Sequence, residues 1–157
     1  MNFDTLYNKF ENLREQWADD SAVDFQFKNK QYSADLGQLA LDIPFQHNKY
    51  LNHYTDIQQI KTSLEFQIRK VVREKREYYS GEADAKTYAA KPFGTSIKTQ
   101  DKLKVYVESD DDVINLEAKI KYLDQMLYWL DQVMRQISNR GFQIKSAIEW
   151  EKFVNGQ

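Results

Sequence analysis

A mainly α-helical fold with two long helices, flanked by shorter N- and C-terminal helices, follows from three features of the 157-residue chain. Apolar residues recur with alternating four- and three-residue spacing over two long stretches, which is the seam pattern of packed helices. Only five Gly and two Pro interrupt the chain, so breaks are few. A period-two strand pattern is confined to residues 23–32, where Val-Asp-Phe-Gln-Phe alternates apolar and polar; a short strand or extended linker fits there, and a lone strand needs a partner.

The first helix is expected over residues 3–18. Phe3, Leu6, Tyr7, Phe10, Leu13, Arg14 and Trp17 share one face, and Asp4, Glu11, Glu15, Asp19, Asp20 and Asp24 make the segment acidic. That acidic face is either solvated or a docking surface for a basic partner. Ser33 caps a short helix carrying Leu36, Leu39, Ala40 and Ile43, and Pro44 is expected to break or kink it near Asp42. Residues 45–79 form the first long helix, with Tyr50, Tyr54, Ile57, Lys61, Leu64, Ile68, Val71, Lys75 and Tyr78 along its seam.

Residues 80–97 show no sustained period and hold two Gly and one Pro, so a functional or mobile loop is expected. Thr99 starts a short helix burying Leu103, Tyr106 and Val107. Ser109–Asp112 then reads as an N-cap with carboxylates in the first turn, where the helix dipole favours them. The second long helix, 110–138, places Val113, Leu116, Ile120, Leu123, Leu127, Leu130, Met134 and Ile137 on a seam, with Tyr122, Met126, Trp129 and Val133 as a second stripe. Two stripes need two neighbours: one can be the first long helix, the other another part of this chain or a second subunit, and self-association is expected on that ground. Gly141 is placed to end this helix. Residues 142–157 form a terminal helix whose Phe142, Ile144, Ala147, Ile148, Trp150, Phe153 and Val154 require cover within the chain or between subunits.

Composition narrows the function. Cysteine is absent, which removes disulfides and thiolate metal sites. His47 and His53 are six apart, on opposite sides of a helix, and make no metal pair. Glu108 and Asp110–Asp112 lack the ligand spacing of a calcium loop. No phosphate loop, nucleophile elbow or paired catalytic constellation occurs, so neither catalysis nor a cofactor is expected. The N-terminus lacks the apolar core of a secretory signal, and no apolar run is long enough to span a bilayer. The expectation is a soluble intracellular protein without membrane contact.

With a net charge of −2, anion binding has to come from a local patch. The densest basic segment is Arg69-Lys70-Val71-Val72-Arg73-Glu74-Lys75-Arg76, followed by Glu77, Tyr78, Tyr79, Ser80 and Gly81. At about 100° per residue, Arg69, Arg73 and Arg76 lie opposite the apolar seam, whereas Lys75 falls within it. Either the seam stops near Val72 or Lys75 runs its stem along apolar surface and exposes its ammonium. The segment reads as a phosphate-binding stripe beside aromatic rings or as a solvated charged face. Lys86, Lys91 and Lys98 could extend the basic track.

Two stretches resemble the UvsY family of phage recombination mediators: Arg73-Glu-Lys-Arg-Glu-Tyr-Tyr-Ser-Gly81, and Arg140-Gly-Phe-Gln-Ile-Lys145 with Ile148, Phe153 and Gly156. Leu36 to Tyr54 and the Lys91-Pro92-Phe93 segment are similar to its cyanophage branch. The acidic first helix and the longer loop after Gly81 depart from the family pattern. The resemblance implies a non-catalytic protein in the cytoplasm of the infected bacterial host. It would bind ssDNA, contact a UvsX-type recombinase and the phage single-strand-binding protein, and form a ring-like homo-oligomer, hexameric or heptameric. The family's DNA-contact pair corresponds to Arg73 and Lys75, with Arg and Lys exchanged. Candidate DNA-binding residues are therefore Arg69, Lys70, Arg73, Lys75, Arg76 and Tyr79. Candidate oligomer contacts are Leu116, Ile120, Leu123, Leu127, Trp129, Leu130, Met134, Phe142, Trp150 and Phe153. The expected organisation is an acidic helix and linker (1–32), a DNA-binding helical region (33–81), a loop (82–98) and an oligomerising helical region (99–157). The alternative is a helical adaptor or scaffold that does not bind DNA.

Overall fold

The computed structural model describes residues 33–156, less the side chains of residues 33–35, together with scattered positions between 7 and 22. Those scattered positions are all helical, and Arg14 pairs with Glu11 at 3.4 Å along them. The rest of the expected first-helix face and the strand expected at 23–32 lie outside the described residues. Four elements follow: α1 (Ser33–Ser80), α2 (Ala85–Ala90), α3 (Gln100–Glu108) and α4 (Asp111–Val154). Among the described residues there is no strand.

Two expected breaks do not occur. α1 runs unbroken for 48 residues with Pro44 inside it. A proline there costs about 3 kcal/mol. On its N-terminal side Leu36, Leu39 and Ile43 pack with Ile144, Ala147 and Ile148 of α4; on its C-terminal side Gln46 and Tyr50 are buried. Each fully buried large apolar side chain contributes about 1.5–3 kcal/mol, enough to hold the helix through the proline. Likewise Gly141 does not end a helix: α4 is one 44-residue helix containing it. Ile137, Arg140 and Ile144 are buried on either side of it, and that burial outweighs a glycine penalty of about 1 kcal/mol.

The chain divides into two compact units, one of Met1–Tyr54 with Trp129–Gln157 and one of Thr55–Tyr128. The first holds the Leu36–Leu39–Ile144 cluster. The second is centred on Leu103, Val107 and Val113, against which Ile68, Val71, Val72, Tyr79 and Ile97 pack. The α1 seam is thus apolar and inward, as its spacing predicts. Its two lysines are accommodated by carboxylates of the second unit: Lys61 meets Asp124 of α4 at 2.7 Å, and Lys75 meets Asp110 at 2.8 Å. In α3, Leu103 and Val107 are buried as expected, whereas Tyr106 is 46% exposed.

The segment after α1 is ordered by the helix end itself. Gly81 adopts φ +88°, a left-handed conformation that favours glycine, and a Cβ there would lie 2.9 Å from the Ser96 Cβ. The chain turns back, the Glu82 and Ala83 amides donate to the Glu77 carbonyl, and Asp84 caps α2 by accepting from the Thr87 amide at 2.8 Å. The expected structureless loop therefore contains a helical turn and is tied to α1.

Candidate nucleic-acid interface

The C-terminal third of α1 presents two unlike faces, both within the second unit. Ile68, Val71 and Val72 enter the core, which leaves Arg69, Lys70, Arg73 and Arg76 exposed on the opposite side. Their partners are weak or neutral. Lys70 stands 3.8 Å from Glu74 and Arg73 stands 3.9 Å from Glu77; exposed i,i+4 pairs of this length contribute only a few tenths of a kcal/mol. The Arg69 guanidinium lies 5.4 Å from the Phe66 ring centroid. Arg76 donates to the Gln100 side-chain oxygen at 2.6 Å. These cations remain available to an anion.

Lys75 and Tyr79 sit on the inward side. The Lys75 ammonium contacts Asp110 at 2.8 Å and Asp112 at 2.5 Å. The Tyr79 hydroxyl donates to the second Asp110 oxygen at 2.8 Å, and the Asp112 amide donates to the first at 3.0 Å. Asp110 is therefore both the cap of α4 and the hub that ties α1 to it. Burial alone would raise its pKa, but the bonds from Lys75 and Tyr79 outweigh burial and hold the carboxyl below its ordinary range. Burial likewise opposes the Lys75 charge, and the two aspartates overcome it to raise the ammonium pKa. Burial and the Asp110 bond push Tyr79 up to about 12. The helix does not fray at Lys75, and the second of the two readings of the seam is modified: the stem lies along apolar surface while the head meets carboxylates.

Beyond α1 an aromatic box closes on Tyr78 and Tyr79. Tyr78 stacks on Tyr88 at 5.5 Å, Tyr79 meets Phe93 edge-on at 5.2 Å, and Tyr106 meets Tyr79 at 5.6 Å. The hydroxyl of Tyr88 donates to the Tyr78 carbonyl at 2.6 Å, and that of Tyr78 to the Lys91 carbonyl at 3.1 Å. The box holds residues 88–97 against the helix end. An open groove of about 290 Å³ lies beside it, lined by Arg73, Arg76, Lys98 and Gln100 among others.

Sequence reasoning did not assign Asp110 as the partner of Lys75, nor Lys98 and Gln100 as neighbours of Arg76. A lysine inside an apolar seam is itself a signal that a carboxylate is needed, and the Asp110–Asp112 run was the available one. Among the described residues no cluster is arranged to hold a metal ion.

The expected oligomer contacts divide by burial. Leu116, Leu123, Leu127 and Leu130 are buried within the single chain, and Ile120, Trp129 and Met134 are half-buried. Phe142, Trp150 and Phe153 are 74%, 67% and 75% exposed, with the Trp150 and Phe153 rings stacked at 5.9 Å. No helix among the described residues is long and apolar enough to cross a membrane.

Fold and site together define a mainly helical protein with an exposed cationic face on its first long helix. A family model described as the recombination, repair and ssDNA-binding protein UvsY matches residues 16–157. The recombination protein uvsY of Enterobacteria phage T4 is 23% identical over 149 residues, spanning 95% of this chain and 99% of that one. Two crystal structures of the bacteriophage T4 recombination mediator protein UvsY share the fold, with TM-scores of 0.72 and 0.74 at 23% identity; they cover 91% and 92% of this chain and 97% and 96% of theirs. The chain belongs to the UvsY family of recombination and repair proteins that bind ssDNA.

Proposed function

We propose that the exposed face of α1 bearing Arg69, Lys70, Arg73 and Arg76 carries ssDNA, and that the protein loads a UvsX-type recombinase onto ssDNA covered by the phage single-strand-binding protein. The reading rests on one observation above others: four cations project from one helix face whose opposite side is locked into the core. A rigid, charged face of this kind binds phosphates without reading sequence. Its own work is binding and displacement, carried out in the host cytoplasm, rather than bond chemistry.

The exposed Phe142, Trp150 and Phe153 support a homo-oligomer, hexameric or heptameric as the family suggests. Several copies would align their stripes into one track, so that weak contacts become avid through effective concentration. Bending of the strand along that track would loosen the single-strand-binding protein and let the recombinase nucleate.

Anisotropy titration of labelled oligo-dT at two salt concentrations tests the first step. Each phosphate contact contributes about −0.7 to the slope of log K against log salt for a single strand. Arg73→Ala with Arg76→Ala should weaken binding and flatten that slope by about 1.4. Unchanged affinity and slope would sink the assignment. An adaptor without DNA binding would show no wild-type binding even at low salt.

A further inference from the structure

The groove at the end of α1 has two banks, and only one belongs to the helix. Arg73 and Arg76 form the first. The second is the segment that returns after the aromatic box, where Ile97, Lys98 and Gln100 face them, with Ile97 and Leu103 as the apolar floor. The returning segment is fastened by the Ile97 amide, which donates to the Tyr79 carbonyl at 2.9 Å, and by Tyr79 against Phe93. Its position is set by the fold rather than by the charges it carries.

We infer that this second bank is part of the ssDNA site, with Lys98 taking the same backbone phosphate as Arg76 and Gln100 holding the place of that phosphate in the free protein. The inference rests on the ssDNA reading above and extends it to residues outside α1. Three observations carry it. First, Arg76 is already aimed across the groove, at the Gln100 oxygen 2.6 Å away. A neutral amide oxygen on a guanidinium is a weaker acceptor than a phosphate oxygen, because the phosphate adds its own negative charge and can accept two parallel N–H bonds from the planar fork. An incoming phosphodiester therefore displaces Gln100 without first breaking an ion pair.

Second, Lys98 is held at the helix end by donating to the Ser80 carbonyl at 3.2 Å. The C-terminus of α1 carries partial negative charge, which by itself would repel a strand running past it. Lys98 offsets that field and has donors left over for a ligand. Third, the groove is small and open, about 290 Å³, at the low end of ligand-sized sites. It suits a single sugar-phosphate unit rather than a run of bases. Glu77 and Glu82 also line it; they leave Arg73, Arg76 and Lys98 as a one-charge excess, so the site discriminates against a second phosphate close to the first. The strand would thus leave α1 at this point, next to the aromatic box, instead of continuing along a straight track.

Salt-dependent anisotropy titrations with oligo-dT on Lys98→Met, Lys98→Arg and Lys121→Met test this. Methionine keeps the lysine stem, and Lys121 is an exposed lysine of α4 outside the groove. Lys98→Met should lower the salt slope by about 0.7, the contribution of one phosphate, while Lys98→Arg and Lys121→Met keep the wild-type slope. Near-ultraviolet circular dichroism of the tyrosine box reports whether the returning segment stays in place. If Lys98→Met disturbs it, Gln100→Glu decides instead: a carboxylate on Arg76 should weaken binding several-fold at low salt, and wild-type affinity would overturn the inference. A Lys98→Met slope equal to wild type, with the box intact, also overturns it. In that case a slope loss in the Arg73/Arg76 variant leaves the α1 face standing, whereas no loss in either variant removes both.

Discussion

Lys75→Met isolates the bond network that fastens α1 to the start of α4. Lys75 is 19% exposed and Asp110 9%, while Asp112 is 61% exposed. An exposed ion pair contributes about 0–1 kcal/mol, and breaking a buried one costs about 3–5 kcal/mol. The Asp110 carboxylate is nearly buried yet keeps the Tyr79 hydroxyl and the Asp112 amide as donors. The Asp112 contact is discounted for solvent. The loss should therefore be about 2 kcal/mol, the worth of a hydrogen bond to a charged group. For a chain of this length that lowers Tm by about 4–8 °C. Methionine retains the apolar stem, so the change reports the ammonium. Because Asp110 is held below its ordinary range, the stabilisation is present above the unfolded carboxylate value and is lost as pH falls through the depressed folded one. The gap between wild type and variant in urea melts should narrow toward acid. Lys75→Met should leave the salt slope of ssDNA binding unchanged. A variant as stable as wild type with a flattened salt slope would refute this reasoning and return Lys75 to the DNA.

Three further outcomes follow from the same geometry. Tyr79 is raised from 10.0 to about 12, so its stabilisation is complete below the unfolded value and fades as pH rises through about 12; Tyr79→Phe should flatten the alkaline limb of stability, read by denaturant midpoints. Gly81→Ala meets both a positive φ and the Ser96 Cβ; it should cost more than the roughly 1–2 kcal/mol of a left-handed alanine and speed amide exchange across residues 82–98. Trp150→Asp with Phe153→Asp should reduce the mass found by native mass spectrometry while helicity by circular dichroism is retained, because both side chains are exposed in the single chain; an unchanged mass would overturn the proposal that these side chains form a subunit contact.

Periodicity alone was sufficient for the helices, the inward seam and the exposed Arg69/Arg73/Arg76 face, because residue angle around a helix follows from sequence position. The cap of α4 falls one residue later than the sequence suggests: Ser109 closes α3, and Asp110 accepts from the Asp112 amide. Where sequence reasoning stopped too early was at Pro44 and Gly141. Both are locally unfavourable to a helix, and only packing by Leu36, Leu39 and Ile144 decides that the helix continues. The seam lysines show the division most clearly. Their positions told that Lys61 and Lys75 point inward, but Asp124 and Asp110 are 63 and 35 residues away in the chain, and no local rule pairs them. The basic stripe was legible from Arg69 to Arg76, with Lys86, Lys91 and Lys98 as possible extensions of no fixed position. Its second bank at Lys98 and Gln100 exists only because Gly81 turns the chain and five aromatic rings hold it there, a tertiary arrangement that charge, composition and period do not encode.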